Sequence, residues 1–388
     1  MSDRHTTGLI HHPYRPPEGF KAPQVGVHKA STVIFPNVAA VRRRDWRHKS
    51  GYTYGLHGTP TTFTLEERIA HLEGGLQCML APSGLGAITL VDLALLQSGD
   101  EVLIPANAYG PGRDFARHEL VRWGIGHRLY EPLDPAAFAR LLTPAVKLVW
   151  LEAPGSITME FPDLRALTAA ARAAGVPTAL DNTWGAGIAF DGFALGADIV
   201  MQALTKYPSG GGDVLMGSVT TVDDALHQRL KLTHMRLGIG VAGNDAEAVL
   251  RSLPSMALRY HAHDRAARQL ALWLQAQPAV ARVLHPALGG SPGHKHWARD
   301  CSAAAGLFSI LVDARHAPAA VDAFVDALQL FRIGYSWGGP QSLAVPYDLK
   351  QLRDPAPFDG TLVRFSIGLE AVEDLQADLE QALSTLGG

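Results

Sequence analysis

Ala197-Asp198-Ile199-Val200-Met201-Gln202-Ala203-Leu204-Thr205-Lys206-Tyr207-Pro208-Ser209-Gly210-Gly211-Gly212-Asp213 is the stretch on which the reading of this chain turns. Its first six residues form a short, largely apolar run and predict a buried strand, which delivers Lys206 at the strand's C-terminal end with glycines beyond it. In water a lysine ammonium keeps its proton up to pH ~10.4, but desolvation disfavours the charged form and releases an amine able to form a Schiff base. Taken alone, the segment better suits an ordinary surface lysine closing a strand.

The same alternation runs through the residues before it. Strands are expected at Gln77 to Leu80, Glu101 to Pro105, Val146 to Leu151 and Thr178 to Leu180, and helices at 86–97, Arg113 to Trp123 and Leu164 to Ala174. An earlier helix carries Leu65, Ile69 and Leu72 on one face, with capping-box spacing at Thr64-Leu65-Glu66-Glu67 and a stop at Gly74-Gly75. Short apolar strands between amphipathic helices imply an α/β fold with a mostly parallel sheet buried on both faces and ligands at the strands' C-terminal ends. Those ends carry the unusual residues: Tyr109, Glu152-Ala153-Pro154-Gly155-Ser156, Asp181 and Lys206.

Outside this region the pattern changes. Residues 1–60 lack sustained periodicity and contain Pro13, Pro16, Pro17 and Pro23, so they read as an extended arm that needs another surface to lie on. The α/β region spans 61–254, and a smaller α+β domain follows at 255–388, opened by a long helix from Met256 and containing Gly334-Tyr335-Ser336-Trp337-Gly338-Gly339. Of the 388 residues 47% are hydrophobic and 18% charged, with net charge -3, which argues against nucleic-acid or membrane-surface binding and for small-molecule partners and self-association. The short basic run Arg42-Arg43-Arg44 reads as a solvated face or subunit contact. Two cysteines in separate halves give neither a disulfide framework nor a metal site, no signal peptide is evident, and a cytoplasmic location is expected. The 17 histidines raise the question of a metal-dependent hydrolase, but there is no HExxH, and His261 and His263 are spaced to fall on different helix faces, so no metal is expected.

Asp181 and Lys206 end two strands of one parallel sheet and should face one crevice. A carboxylate and a lysine so placed suit pyridoxal phosphate: the lysine holds the aldehyde, and the carboxylate keeps the pyridine nitrogen protonated so that the ring withdraws electrons. The turn Ser83-Gly84-Leu85-Gly86 opens a helix whose backbone N–H groups can take the phosphate, and Tyr109 can cover the ring. A structural ion pair has the same spacing.

Eight motifs decide between these readings. They are Tyr54-Gly55-Leu56-His57-Gly58-Thr59-Pro60-Thr61, Leu72-Glu73-Gly74-Gly75, Ala106-Asn107-Ala108-Tyr109, Glu152 to Glu160, Asp181-Asn182-Thr183-Trp184, Thr205-Lys206-Tyr207, Tyr335 to Gly339 and Arg364 to Glu370. In that order they resemble the Cys/Met-metabolism family of pyridoxal-phosphate enzymes, and within it the bacterial cystathionine β-lyases. The resemblance implies the aspartate-aminotransferase-like fold known as PLP fold type I. It implies Lys206 as Schiff-base lysine and proton shuttle, Asp181 at the ring nitrogen and Tyr109 stacked on the ring. Ser83, Gly84, Leu85, Ala203 and Thr205 would surround the phosphate; Arg364, with Ser336 and Trp337, would hold the substrate. Tyr54 would reach into a neighbouring subunit's site, which implies a dimeric catalytic unit, usually paired into a tetramer.

The implied reaction is β-elimination of L-cystathionine to homocysteine, pyruvate and ammonia, a step of methionine biosynthesis, with wider cysteine-S-conjugate lyase activity open. Trp337 and the Gly155-Ser156-Ile157-Thr158-Met159-Glu160 run match β-lyases, and γ-acting relatives are the nearest alternative. A pyridoxal-phosphate-binding regulatory protein without turnover is the reading from another class. Three positions depart from the family pattern. Leu56 stands where many members place an arginine that reaches the neighbouring subunit's cofactor phosphate, leaving His57 or backbone donors to replace it. Pro208-Ser209-Gly210-Gly211-Gly212-Asp213 replaces a Gly-His-Ser-Asp run, which suggests a more mobile loop, and Gln341 stands for a glutamate of the distal substrate pocket.

Overall fold

The computed structural model describes residues 6–353 and 355–386. Seven strands form the first sheet: β1 (Gln77–Ala81), β2 (Glu101–Pro105), β3 (Gly126–Tyr130), β4 (Val146–Glu152), β5 (Thr178–Asp181), β6 (Ile199–Gln202) and β7 (Gly217–Thr221). They lie in the order β1-β7-β6-β5-β4-β2-β3. β7 runs antiparallel to both of its neighbours, and the remaining pairs are parallel. The expected buried parallel sheet is therefore present, with one reversed strand. β7 escapes periodicity because Gly217-Ser218-Val219-Thr220-Thr221 offers a single strong hydrophobe, yet all five residues are buried.

Burial on both faces follows from the helices that cover them. The helix Gly84–Leu95 packs on β1, β4, β6 and β7, burying Ala87, Ile88, Leu90, Val91, Ala94 and Leu95. The helix Pro60–Glu73 lies against β1 and β7 with Leu65, Ile69 and Leu72 fully buried, each stabilising the fold by roughly 1.5–3 kcal/mol relative to an exposed position. The latter helix corrects the expected start at Thr64. Thr59 is its N-cap, Pro60 occupies the first turn, and Thr59 and Thr62 form the reciprocal capping pair, so Thr64 already lies inside the helix and donates its hydroxyl to Pro60 O at 2.7 Å. A proline whose missing N–H would be unsatisfied anyway starts the helix earlier than the acidic pair suggests.

The second sheet has five strands, β8 (Val280–Leu284), β9 (Leu307–Val312), β10 (Arg332–Ile333), β11 (Leu343–Tyr347) and β12 (Thr361–Ser366), in the order β10-β11-β12-β9-β8. All its pairs are antiparallel except β10 with β11. The helix Met256–Leu274 leads into it, and its buried residues Tyr260, His263, Ala267, Leu270, Ala271 and Leu274 recur at three- and four-residue spacing. The helix expected over Arg113 to Trp123 is split into an α-helix, Gly110–His118, and a 3-10 turn, Leu120–Trp123.

Residues 6–59 carry only the short helices Thr7–Ile10 and Val38–Arg42 and a 3-10 turn, Gly55–His57, and are held to the body of their own chain at several points. Thr61 Oγ1 donates to Gly26 O at 2.7 Å, and Lys49 Nζ contacts buried Glu66 at 2.6 Å. Arg42, Arg43 and Arg44 are exposed. No helix among the described residues is long and apolar enough to cross a membrane.

Candidate active site

At the C-terminal ends of β4, β5 and β6 and the turn after β1, a cavity of about 130 Å³ opens. Ser83, Gly84, Leu85, Tyr109, Asp181, Ala203, Thr205, Lys206 and Trp337, all expected at the site, line it. Ser336 and Arg364 join through direct contacts with these residues. Tyr54 does not line the cavity of its own chain, where it stands half-exposed against His57.

Lys206 follows β6 in a tight turn: its N–H donates to Ala203 O at 3.1 Å, and the Gly210 N–H donates back to Lys206 O at 2.9 Å. Its Nζ lies 2.8 Å from Ser336 Oγ and 4.6 Å from the centre of the Trp337 ring. Burial and the nearby Arg364 push the amine down to about 8, against the opposing pull of Asp181. The partner segment approaches very closely. A Cβ at Gly338 would meet Tyr207 N at 2.9 Å and Lys206 C at 3.1 Å, and φ there is +74°, so both space and backbone call for glycine. Ser336, two residues earlier, has φ 113°, a strained conformation retained at the residue that holds the lysine.

The glycine-rich run after Lys206 has definite partners. Arg259 Nη1 donates to Tyr207 O at 2.9 Å while its Nη2 reaches Ser252. A side chain at Gly210 would collide with the same guanidinium.

Asp181 pairs in register with Glu152 on β4 and Met201 on β6, so two carboxyls stand side by side at the sheet edge. Burial raises Asp181 against the pull of the Thr183 hydrogen bonds and Lys206, and burial plus the charge of Asp181 pushes Glu152 up to about 8. Such a pair favours a positively charged ligand atom beside it, which a protonated pyridine nitrogen provides. A phosphate also finds suitable donors. Ser83 Oγ accepts the Gly86 N–H at 2.9 Å as N-cap of the helix Gly84–Leu95 and keeps its own proton to donate, next to the helix's unpaired N–H groups. Gly84 has no room for a side chain, since its Cβ would lie 2.8 Å from Ala203 Cβ. Thr205 is less free: its hydroxyl donates to Met216 O at 3.2 Å and accepts the Met216 N–H at 3.0 Å. The residues present therefore fit pyridoxal phosphate.

His57 makes a poor cationic stand-in for the arginine missing at Leu56. Burial, Lys231 and Arg44 all push its imidazole below the usual value, and Nδ1 is engaged by Thr53 Oγ1 at 2.9 Å. Gln341 is exposed and does not line the cavity.

Arg364 projects from β12, is 6% exposed, and donates from Nη1 to Ser156 O at 3.1 Å. Its Cζ lies 5.4 Å from the Trp337 and Tyr347 ring centres. The Trp337 Nε1 is buried without a partner, a donor that an anionic ligand can take. An Arg364→Lys variant should raise KM for an amino-acid substrate roughly 10- to 100-fold while lowering kcat less, because one charged bidentate contact is worth about 1.5–3 kcal/mol. Steady-state kinetics over a wide substrate range check this; an unchanged KM removes Arg364 from carboxylate binding.

Sequence reading passed over several wall residues. Thr183 accepts the Ala203 N–H at 2.9 Å with its hydroxyl proton to spare, Trp184 lines the cavity, and the largely exposed Leu215 stands at its rim. Thr183 and Trp184 sat in a quoted motif without a role. Leu215 follows the glycine-rich run and carries no local signal.

The chain is similar to known proteins over nearly its whole length. Residues 6–384 match the family model described as Cys/Met metabolism PLP-dependent enzyme. The chain is 43% identical to a putative cystathionine β-lyase of Rhizobium johnstonii, over 94% of this chain and 92% of that protein. It is 38% identical to the cystathionine β-lyase of Bordetella avium, covering 99% of each. Among solved structures, the cystathionine γ-synthase of Xanthomonas oryzae superposes with a TM-score of 0.88 at 31% identity, covering 95% of both chains.

Proposed function

The chain belongs to the Cys/Met-metabolism family of pyridoxal-phosphate-dependent enzymes, and from that membership we propose that it cleaves the Cβ–sulfur bond of L-cystathionine, yielding homocysteine, pyruvate and ammonia. The observation that carries the reading is the convergence of Lys206, Asp181 and Trp337 on one cavity, with Arg364 stacked against Trp337. Pyridoxal phosphate, when bound, supplies an electron-withdrawing ring that renders the Cα proton of an attached amino acid acidic. Lys206 holds the cofactor covalently and, once released, takes that proton, a task for which an amine lowered to about 8 is suited. Ser336 Oγ and the Trp337 ring keep its Nζ in place. Asp181 supplies the negative charge at the ring nitrogen, Tyr109 covers the ring, and Ser83, Gly84, Leu85, Ala203 and Thr205 surround the phosphate. Arg364 grips the α-carboxylate with its planar fork, and Trp337 Nε1 adds a second donor.

Residues 1–60 act as an arm on a neighbouring subunit and carry Tyr54 into its site, with 61–254 as the cofactor-binding domain and 255–388 as the smaller one. Exposed apolar side chains on the arm, Phe20 at 67% and Ile34 at 91%, support a dimeric catalytic unit, paired into a tetramer. With Leu56 uncharged, backbone N–H groups carry the phosphate contact. The unpaired thiols of Cys78 and Cys301 suit a reducing cytosol.

With L-cystathionine and added pyridoxal phosphate, pyruvate should accumulate at least ~10-fold faster than 2-oxobutyrate, a ratio equivalent to about 1.4 kcal/mol between the two barriers. Coupled dehydrogenase assays for the two keto acids measure this. Predominant 2-oxobutyrate would assign the chain to the γ-acting branch.

A further inference from the structure

Glu152 ends β4 at the floor of the site, and its two carboxyl oxygens face opposite loops. Oε2 accepts the backbone N–H of Tyr109 at 2.7 Å, and Oε1 accepts that of Ser156 at 3.0 Å. The Ser156 peptide continues the chain of contacts, because its carbonyl oxygen accepts Arg364 Nη1 at 3.1 Å. One buried side chain thus spans the loop bearing the ring cover and the turn against which the guanidinium rests. We propose that Glu152 is a positioning residue of this active site, locking the Tyr109 loop and the Ser156–Arg364 contact into one arrangement so that cofactor stacking and substrate-carboxylate binding are set together. The inference rests on the roles of Tyr109 and Arg364 given above.

A residue that only filled space would not need a carboxyl at this point. Glu152 is kept acidic in type although burial and the adjacent Asp181 push it up to about 8. Its two accepted N–H groups and Arg113 oppose that rise, and Tyr109 and Tyr130 also lie within its field. Glutamine has the same shape, but it offers one carbonyl oxygen and an NH2 group, so one of the two backbone donors would face another donor. Aspartate keeps the carboxyl group and is one methylene shorter, too short to span both loops.

The sign of the pH effect follows from the raised value. A carboxyl that ionises at higher pH when folded contributes stability that is present below the ordinary carboxylate range and is lost as pH rises towards about 8. Glutamine does not titrate and removes that loss.

The test compares wild-type holoenzyme with Glu152→Gln, Glu152→Asp and Arg364→Lys. For Glu152→Gln we expect KM for L-cystathionine to rise about tenfold, the visible circular dichroism of bound pyridoxal phosphate to fall by about half as the ring cover loosens, and the melting temperature of the cofactor-free protein to drop less between pH 5 and pH 8 than in the wild type. Wild-type KM, dichroism and pH dependence in Glu152→Gln would overturn the proposal. Should that variant fail to fold, Glu152→Asp decides: a raised KM with a cooperative melt supports the spanning role, and wild-type kinetics refutes it. The Arg364→Lys arm separates the two levels. An unaltered KM there overturns the carboxylate role of Arg364 itself, whereas a raised KM there with no change at Glu152 overturns only the inference about Glu152.

Discussion

Purified with excess pyridoxal phosphate, Lys206→Ala is expected to lack the visible absorbance of lysine-bound cofactor and to release pyruvate roughly 10⁴-fold more slowly than the wild type, the range of a lost general base that also serves as covalent anchor. The magnitude follows from how alone Lys206 is. Its Nζ is met by Ser336 Oγ and the Trp337 face, neither of which can replace an amine as base, and among the described residues no second lysine lines the cavity. Folding should be preserved, since the turn is closed by backbone hydrogen bonds to Ala203 and from Gly210, which the substitution leaves in place. Absorbance spectra and a pyruvate assay on the same preparation provide the check, with a cooperative thermal melt as control. A variant that kept both the absorbance and the turnover would remove Lys206 from the reaction.

Asp181→Asn should lower kcat by about 10²–10³-fold with a small change in KM, as expected for loss of one preorganised charge aimed at the place where charge develops. Asparagine still offers an oxygen to the Thr183 N–H, which Asp181 accepts at 2.9 Å, so the turn should persist. Two neighbours should respond. Glu152 loses the adjacent charge that helps to raise it and moves towards the ordinary carboxylate range, and Lys206 loses the pull that opposes its lowering and falls below about 8. The pH–rate profile of the residual activity therefore shifts its basic group to lower pH. An unaltered kcat would show that the ring nitrogen needs no anionic partner here.

Much of the frame is legible in the linear chain because each local pattern has one physical reading. Glu101–Pro105 and the long helix opening at Met256 appear where their apolar spacing puts them. Strands with weak apolar content escape, as with Gly126–Tyr130 and Gly217–Thr221, whose identity comes from the ladders beside them. Thr64 misleads because a capping box read from an acidic pair competes with Pro60, and the proline with Thr59 wins. Glu152 was visible as an acidic residue at a strand end, but that Tyr109 and Ser156 share its two oxygens depends on loops separated by more than forty residues.

By itself, then, the sequence determined the α/β class, the delivery of Asp181 and Lys206 to the same edge of a sheet, and the family. Each of these rests on local spacing or on the ordered coincidence of motifs, which need no distances. Only the tertiary structure decided that Ser336 holds the lysine, that the Trp337 ring meets both Lys206 and Arg364, that His57 is pushed towards neutrality, and that Glu152 ties two loops together. Those are matters of desolvation and of contacts across the chain, and both arise when remote segments exclude water from a shared space.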